Sequence, residues 1–221
     1  MIDSDFLHTT RTFYDAVATD YADHFRDLLA ASPLDRGMLA AFADLVRAEG
    51  AGPVADLGCG PGKVTAHLHD LGLPVFGIDL SPRMVALARE AHPAVRFDEG
   101  SLLDLDLPDG TLGGVVAWYS IIHLPEERLP EAVAEFHRVL APGGHLLLAF
   151  QVGDEPLRLE QPFGHPVSLD FRRRQPDHIA ELLRRAGLTM QARMVREPVE
   201  DVESTPQAYL LARKPHDTAG A

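Results

Sequence analysis

The sequence predicts a doubly wound α/β fold: a seven-stranded, mostly parallel sheet with an antiparallel last strand. Three observations carry this. Short apolar runs at residues 54–57, 75–78, 95–97, 115–118 and 146–150 alternate with stretches of helical period, the rhythm of strand and crossover helix. The first run opens into a loop with glycines at 58, 60 and 62, where a ligand can approach the main chain without meeting a β-carbon. Two closing runs, near residues 188–195 and 209–213, sit close enough in sequence to form a hairpin, which turns at least the last strand against the others.

Composition sets the frame. The chain has 221 residues, 46% of them apolar and 24% charged, enough for one domain with a sizeable core. Its 20 Lys and Arg against 33 Asp and Glu give a net charge of −13, which repels phosphate backbones, so nucleic acid is not expected as a partner. One cysteine, Cys59, excludes an internal disulfide framework and any zinc site of several thiolates. Apolar runs are far too short for a membrane span, and an acidic start (Met1-Ile2-Asp3-Ser4-Asp5) is unlike a signal peptide; a soluble cytoplasmic protein is expected, with no membrane partner.

The elements follow in order. Phe13, Val17, Tyr21, Phe25 and Leu28 line one face of an amphipathic helix over residues 9–30. Ser32-Pro33-Leu34-Asp35 reads as a capping box with proline at the first helical position, and the helix carrying Leu39, Phe42 and Val46 runs to about residue 49, before Gly50. Ser81-Pro82 opens a crossover helix, and another spans about 126–140 with Leu129, Val133, Phe136 and Leu140 on one stripe, stopped by Pro142-Gly143-Gly144. Residues 151–175 break the rhythm with three prolines and two glycines, then an alternating run at 167–171, and are read as an insertion with one short strand. Pro176 starts a helix through Ile179, Leu182 and Leu183 that Gly187 closes. The tail, 214–221, is expected to fray.

The glycine loop is the most informative stretch. Val54-Ala55-Asp56-Leu57-Gly58-Cys59-Gly60-Pro61-Gly62-Lys63-Val64-Thr65 fails the phosphate-binding Walker pattern, since Val64 follows Lys63 and position 57 is Leu. It also misses the third glycine of the dinucleotide fingerprint, because that position is Lys63. The remaining pattern, acid-x-Gly-x-Gly-x-Gly, resembles the first motif of the small-molecule type of class I S-adenosylmethionine-dependent methyltransferases, a Rossmann-like family. The resemblance continues in Val75-Phe76-Gly77-Ile78-Asp79-Leu80-Ser81-Pro82-Arg83-Met84, in Gly100-Ser101-Leu102-Leu103-Asp104-Leu105, in Val139-Leu140-Ala141-Pro142-Gly143-Gly144, and in Phe13-Tyr14-Asp15-x-x-Ala18-x-x-Tyr21. It covers roughly residues 12–150, and the rest by topology.

What the resemblance implies can be set out residue by residue. S-adenosylmethionine would lie on Gly58, Gly60 and Gly62, with Asp56 supporting the loop and the methionyl ammonium. Asp79 would hold the ribose hydroxyls, although it could also only cap the helix beside Ser81. Leu80, Met84, Trp118, Ser101, Leu102 and Leu103 would border the ligand. Ser101 stands where the family usually has an Asp for the adenine amino group, so adenine would be read by backbone and by packing from Leu102 and Leu103. Tyr14 and Tyr21 could close over the ligand or belong to the core. The acid–Asp pair of metal-dependent catechol methyltransferases is missing at Phe150-Gln151-Val152-Gly153, and no catalytic metal is expected. The amino-methylating Asn/Asp-Pro-Pro-Tyr/Phe signature is missing too, the site reading Trp118-Tyr119-Ser120-Ile121-Ile122-His123.

Methyl transfer is an in-line displacement from a good leaving group, so alignment and a base are what a protein adds. His123, at the sheet's C-terminal edge, is the first base candidate, its ordinary alternative being a packing residue; His165 in the insertion is the second. Arg172-Arg173-Arg174 reads as a solvated face, or as a site for an anionic group of the acceptor. The expected layout is one domain over 1–221: an N-terminal helical cap (1–50), a cofactor-binding core (51–150), a substrate-side insertion (151–175), a closing helix and hairpin (176–213) and the tail (214–221). The expected function is methylation of an O or N atom of a small molecule, by a monomer or homodimer. The alternative is a cofactor-binding regulatory protein of the same fold without transfer activity; a nicotinamide-dependent oxidoreductase conflicts with Lys63.

Overall fold

A computed structural model describes residues 5–50, 52–200 and 202–216. Strands β1 (Val54–Leu57), β2 (Val75–Asp79), β3 (Arg96–Glu99), β4 (Leu112–Trp118) and β5 (Leu140–Gln151) run parallel, and β8 (Thr189–Arg196) and β9 (Gln207–Arg213) close the sheet in the order β3-β2-β1-β4-β5-β9-β8. Only β9 is antiparallel: it lies between β5 and β8, pairing Leu148 with Leu210 and Arg193 with the same Leu210. Strand order reverses between β1 and β4, and in such sheets a crevice opens at that point beyond the carboxyl ends of the strands.

The sheet buries both faces, as its unbroken apolar runs require. Helices α6 (Leu129–Val139) and α7 (Pro176–Arg185) pack Val133, Phe136, Ile179 and Leu183 against Leu146, Leu148 and Leu210. On the other face α3 (Pro33–Ala48) and α4 (Lys63–Asp70) pack Leu39, Phe42 and Leu68 against Val54, Val116 and Leu147. Helix α5 (Pro82–Ala91) adds Val85 and Ala88 against Phe97, and Ser81 caps it by accepting from the Met84 N–H at 3.1 Å.

Several expectations are corrected. The helix expected over 9–30 is α1 (Asp5–His24) followed by the separate turn α2 (Leu28–Ala31). Between them the Arg26 and Leu28 N–H groups bond back three residues, tightening the chain and ending the four-residue stripe. The expected helix over 126–140 is a 3-10 turn, Glu126–Arg128, with α6 beginning only at Leu129, where Pro130 fits the first turn. The insertion holds two strands, not one: β6 (Leu157–Glu160) pairs antiparallel with β7 (Ser168–Phe171), and Leu169 packs on Phe13 and Val17 of α1.

Ser32 forms no side-chain cap on α3; its hydroxyl donates to the Leu28 carbonyl instead, and Asp35 turns away from the helix end. Residues 214–216 do not fray either. The Lys214 ammonium bonds the His137 and Leu140 carbonyls at 2.8 and 2.7 Å, completing the end of α6, and Lys214 continues the pairing with β5 through the Gly144 carbonyl. The rest of that tail, 217–221, lies outside the described residues.

Candidate active site

The loop after β1 is held by its neighbour strand. The Gly58 and Cys59 N–H groups both donate to the Ile78 carbonyl, at 2.7 and 3.1 Å, and the Gly60 N–H donates to Asp79 Oδ2 at 2.8 Å. Two glycines are demanded by this path for different reasons. Gly58, at φ +75°, would place a β-carbon 2.3 Å from that of Ser120, so side chains are excluded there by packing. Gly60, at φ +53°, would meet nothing within 4 Å, so its open side faces the crevice where a ligand can lie against backbone.

Asp79 ends β2 with both carboxylate oxygens engaged, Oδ1 accepting from Ser81 N–H and Oδ2 from Gly60 N–H, each at 2.8 Å. Burial pushes its pKa up to about 6 against the pull of those bonds. It therefore organises the α5 entrance and lines the cavity at once. Asp56 is wholly buried; Oδ2 accepts from the Thr65 hydroxyl at 2.6 Å, whereas Oδ1 has no partner, and burial pushes this acid up to about 7. An orphaned carboxylate oxygen beside an open glycine loop suits a cationic group such as the methionyl ammonium. The residues present thus fit S-adenosylmethionine.

A cavity of about 380 Å³ extends from this loop under α1. Among the expected ligand neighbours, Tyr14, Tyr21, Leu80, Met84, Ser101, Leu102 and Trp118 line it together with Asp56, Gly58, Gly60 and Asp79. Leu103 does not: it is buried in the core under the sheet. Gly62 does not either; at φ +82° it precedes α4, where a β-carbon would strike the Phe97 ring. Tyr14 and Tyr21 meet edge to face at 5.7 Å, and burial pushes both phenols up, Tyr21 to about 12.

His123 follows β4 in a short 3-10 turn, Ile121–His123, and lines the cavity. Its ring lies between Tyr14 and Phe171, centroids 5.2 and 4.9 Å away, with Nε2 2.7 Å from the Tyr14 hydroxyl. Burial pushes its pKa down to about 3, so the imidazole is neutral near pH 7 and a weak base. His165 is away from the cavity, its Nε2 2.8 Å from Asp20 on the surface. The arginine run disperses: the Arg172 N–H donates to Ile122, Arg173 bonds Ser204, and buried Arg174 pairs with Glu126. None of the three lines this cavity.

Sequence reasoning missed the far end of the cavity, where Asp35, Tyr119, Gln151 and Glu203 meet. Tyr119 carries a faint signal, lying inside the 118–123 stretch already singled out, and it adopts φ +56°, a strained value for a side chain of that size. Asp35 reads as a helix-capping acid and Glu203 sits in a polar loop, so neither gives a local signal. Among the described residues no group of three or more His, Cys, Asp or Glu could hold a metal ion, and no helix is long and apolar enough to cross a membrane.

Known proteins match this geometry. Residues 54–144 match the family model of a methyltransferase domain. An O-methyltransferase, cnsE, of Penicillium expansum is 32% identical over 148 residues, 61% of this chain and 51% of that protein. Matches to the curated relatives span about half of their length or less. The fold resembles magnesium protoporphyrin IX methyltransferase from Synechocystis with bound S-adenosylmethionine, at TM-score 0.70 and 16% identity over 95% of this chain and 97% of that one. It also resembles 1,6-didemethyltoxoflavin-N1-methyltransferase of Burkholderia thailandensis with S-adenosylhomocysteine, at TM-score 0.68 and 20% identity over 96% and 90%. Residues 54–144 thus match a methyltransferase domain, and the chain shares its fold with solved S-adenosylmethionine-dependent methyltransferases.

Proposed function

We propose that this protein transfers the methyl group of S-adenosylmethionine to an O–H or N–H nucleophile of a small molecule. The observation that carries the reading is the single cavity joining the glycine loop and Asp79 to a separate, mostly aromatic end at Trp118 and Tyr119. In this reading Asp79 takes the ribose hydroxyls, Asp56 and the backbone near Gly60 face the methionyl group, and Ser101 and Leu102 border adenine. The transferable methyl supplies the electrophile. Tyr14 and Tyr21 on α1 cover the site and exclude water. Neutral His123 positions Tyr14 through their hydrogen bond.

Relatives support the chemistry without fixing the acceptor: one is named an O-methyltransferase, another an N1-methyltransferase. A thermal-shift comparison tests the cofactor class, since S-adenosylhomocysteine should raise the melting temperature by mass action and NAD should not. The reverse preference would overturn the reading. An acceptor panel read by mass, seeking the gain of one methylene, tests transfer; cofactor binding without turnover across the panel would favour a regulatory protein.

A further inference from the structure

We propose that the acceptor is an amine, held as its ammonium by Asp35 and Glu203 and deprotonated by Asp35 before transfer. This rests on the methyl-transfer reading above and narrows its acceptor. Asp35 belongs to the first turn of α3 yet makes no bond to its own helix end; it is 5% exposed and lines the cavity. A buried carboxylate in apolar surroundings needs partners. Those it has all end on one oxygen: the Tyr209 hydroxyl donates to Oδ1 at 2.5 Å and Arg196 Nε donates to Oδ1 at 3.2 Å. Oδ2 takes neither bond and remains for a ligand.

The surrounding chain of bonds fixes direction as well as position. The single Tyr209 proton goes to Asp35, and Arg196 donates to the Tyr209 oxygen at 3.0 Å. Tyr119, 3.3 Å from Tyr209, must therefore donate to it, which leaves the Tyr119 oxygen an acceptor beside the cavity that residue lines. Arg196 also binds Glu203 through two bonds of 2.5 and 2.7 Å. One guanidinium thus faces two carboxylates, and this end of the cavity keeps a net negative charge.

An independent observation points to a polar ligand in the same place: the Gln151 side-chain oxygen, at the same end of the cavity, is buried and unpartnered. Nearer the glycine loop, the buried Ser120 hydroxyl also lines the cavity without a partner. Unbonded acceptors and surplus negative charge suit a cationic donor and disfavour an anion, with Trp118 and Tyr119 as the aromatic lining beside them. In the reaction the ammonium gives one proton to Asp35 Oδ2, and the freed nitrogen pair forms the N–C bond. The S–C bond breaks with its electron pair left on sulfur. The product leaves as a secondary ammonium, and Asp35 returns its proton to water.

The test uses the full chain saturated with S-adenosylhomocysteine and titrated calorimetrically with three probes of one skeleton: 2-phenylethylamine, 2-phenylethanol and 3-phenylpropionate. The amine should bind about ten- to a hundredfold more tightly than the alcohol, the range for one charge-assisted bond, and the acid most weakly. Asp35→Asn should bring amine and alcohol to within about threefold while S-adenosylhomocysteine affinity is kept. Should that variant fail to fold, Glu203→Gln should still shrink the preference. An alcohol or acid bound as tightly as the amine, no probe bound, or a preference that survives both substitutions would overturn the proposal. Failure of S-adenosylhomocysteine itself to bind would instead overturn the methyl-transfer reading.

Discussion

Replacing Asp79 by Asn should move two quantities in opposite directions. Burial raises this carboxyl from an ordinary 3.8 to about 6, so at neutral pH its charge destabilises the ligand-free fold. At 1.36 kcal/mol per pKa unit, about two units correspond to roughly 3 kcal/mol. A folded-state pKa above the unfolded value gives a contribution complete below about pH 4 and lost as pH rises through about 6. The amide removes the charge but can accept only one of the two N–H donors, from Gly60 and Ser81, and the other is left short at a cost of about 1–3 kcal/mol. The net expectation near pH 7 is a ligand-free protein between unchanged and about 2 kcal/mol more stable. That advantage should vanish near pH 4.5, where wild-type Asp79 is itself protonated.

Cofactor binding should respond the other way. Two ribose hydroxyls lose a charged acceptor for one neutral carbonyl, a loss of about 2–4 kcal/mol, so S-adenosylhomocysteine affinity should fall by about 30- to 1000-fold. Calorimetry measures the affinity, and thermal unfolding at two pH values measures the stability. Wild-type affinity in a folded Asp79→Asn variant would remove this residue from the site. A stability change independent of pH would show that the buried charge is not what the substitution removed.

Other expectations follow from the same geometry. Gly58→Ala should destabilise by about 3 kcal/mol or more, because overpacking against Ser120 adds to a positive φ, whereas Gly60→Ala should cost about 1 kcal/mol of strain yet weaken S-adenosylhomocysteine binding. Denaturant unfolding with calorimetry separates the two, and equal stability losses would contradict the different surroundings. S-adenosylhomocysteine affinity should rise between about pH 5 and pH 8 as Asp79 and Asp56 ionise near 6 and 7; a flat profile would argue against both as ligands for its hydroxyls and ammonium. Because His123 is held near 3, His123→Gln should keep any acid limb of kcat/KM near neutrality, and loss of that limb would restore His123 as the base. Lys214→Ala should cost about 1–2 kcal/mol in denaturant unfolding, through the two carbonyls it caps; no change would return the residue to the frayed tail.

The fold was legible where one segment alone decides the outcome. Val54–Leu57 has no polar residue but Asp56, and that acid is buried on the hydroxyl of Thr65 nine residues later, so the strand reads as buried on both faces and is. Ser81-Pro82 names the start of α5 to the residue. Legibility failed where two segments compete for one group. The Ser32–Asp35 box satisfies every local rule for a cap, yet Tyr209 and Arg196 offer Asp35 stronger donors from 174 and 161 residues away. The strand β6 was missed because four residues after Pro156 give too short an alternation, and only pairing with β7 fixes it.

The same division runs through the cavity. Residues near the glycine loop follow from a contiguous motif, because a strand end, a tight turn and a helix start must occur within a dozen positions. The opposite end is assembled from α3, the ends of β4 and β5 and the loop before β9, four places with no common sequence signal. His123 shows why position along the chain is a poor guide to chemistry. It stands at the sheet edge as a base should, but packing between Tyr14 and Phe171 desolvates the ring and holds it neutral. Arg172-Arg173-Arg174 fails likewise: three adjacent charges point to one anion in sequence, while in space the Arg173 and Arg174 guanidinium groups go to Ser204 and Glu126, and the Arg172 main chain pairs with Ile122. At the far end of the cavity the charges are those of Arg196 between Asp35 and Glu203, the arrangement on which the proposed ammonium site rests.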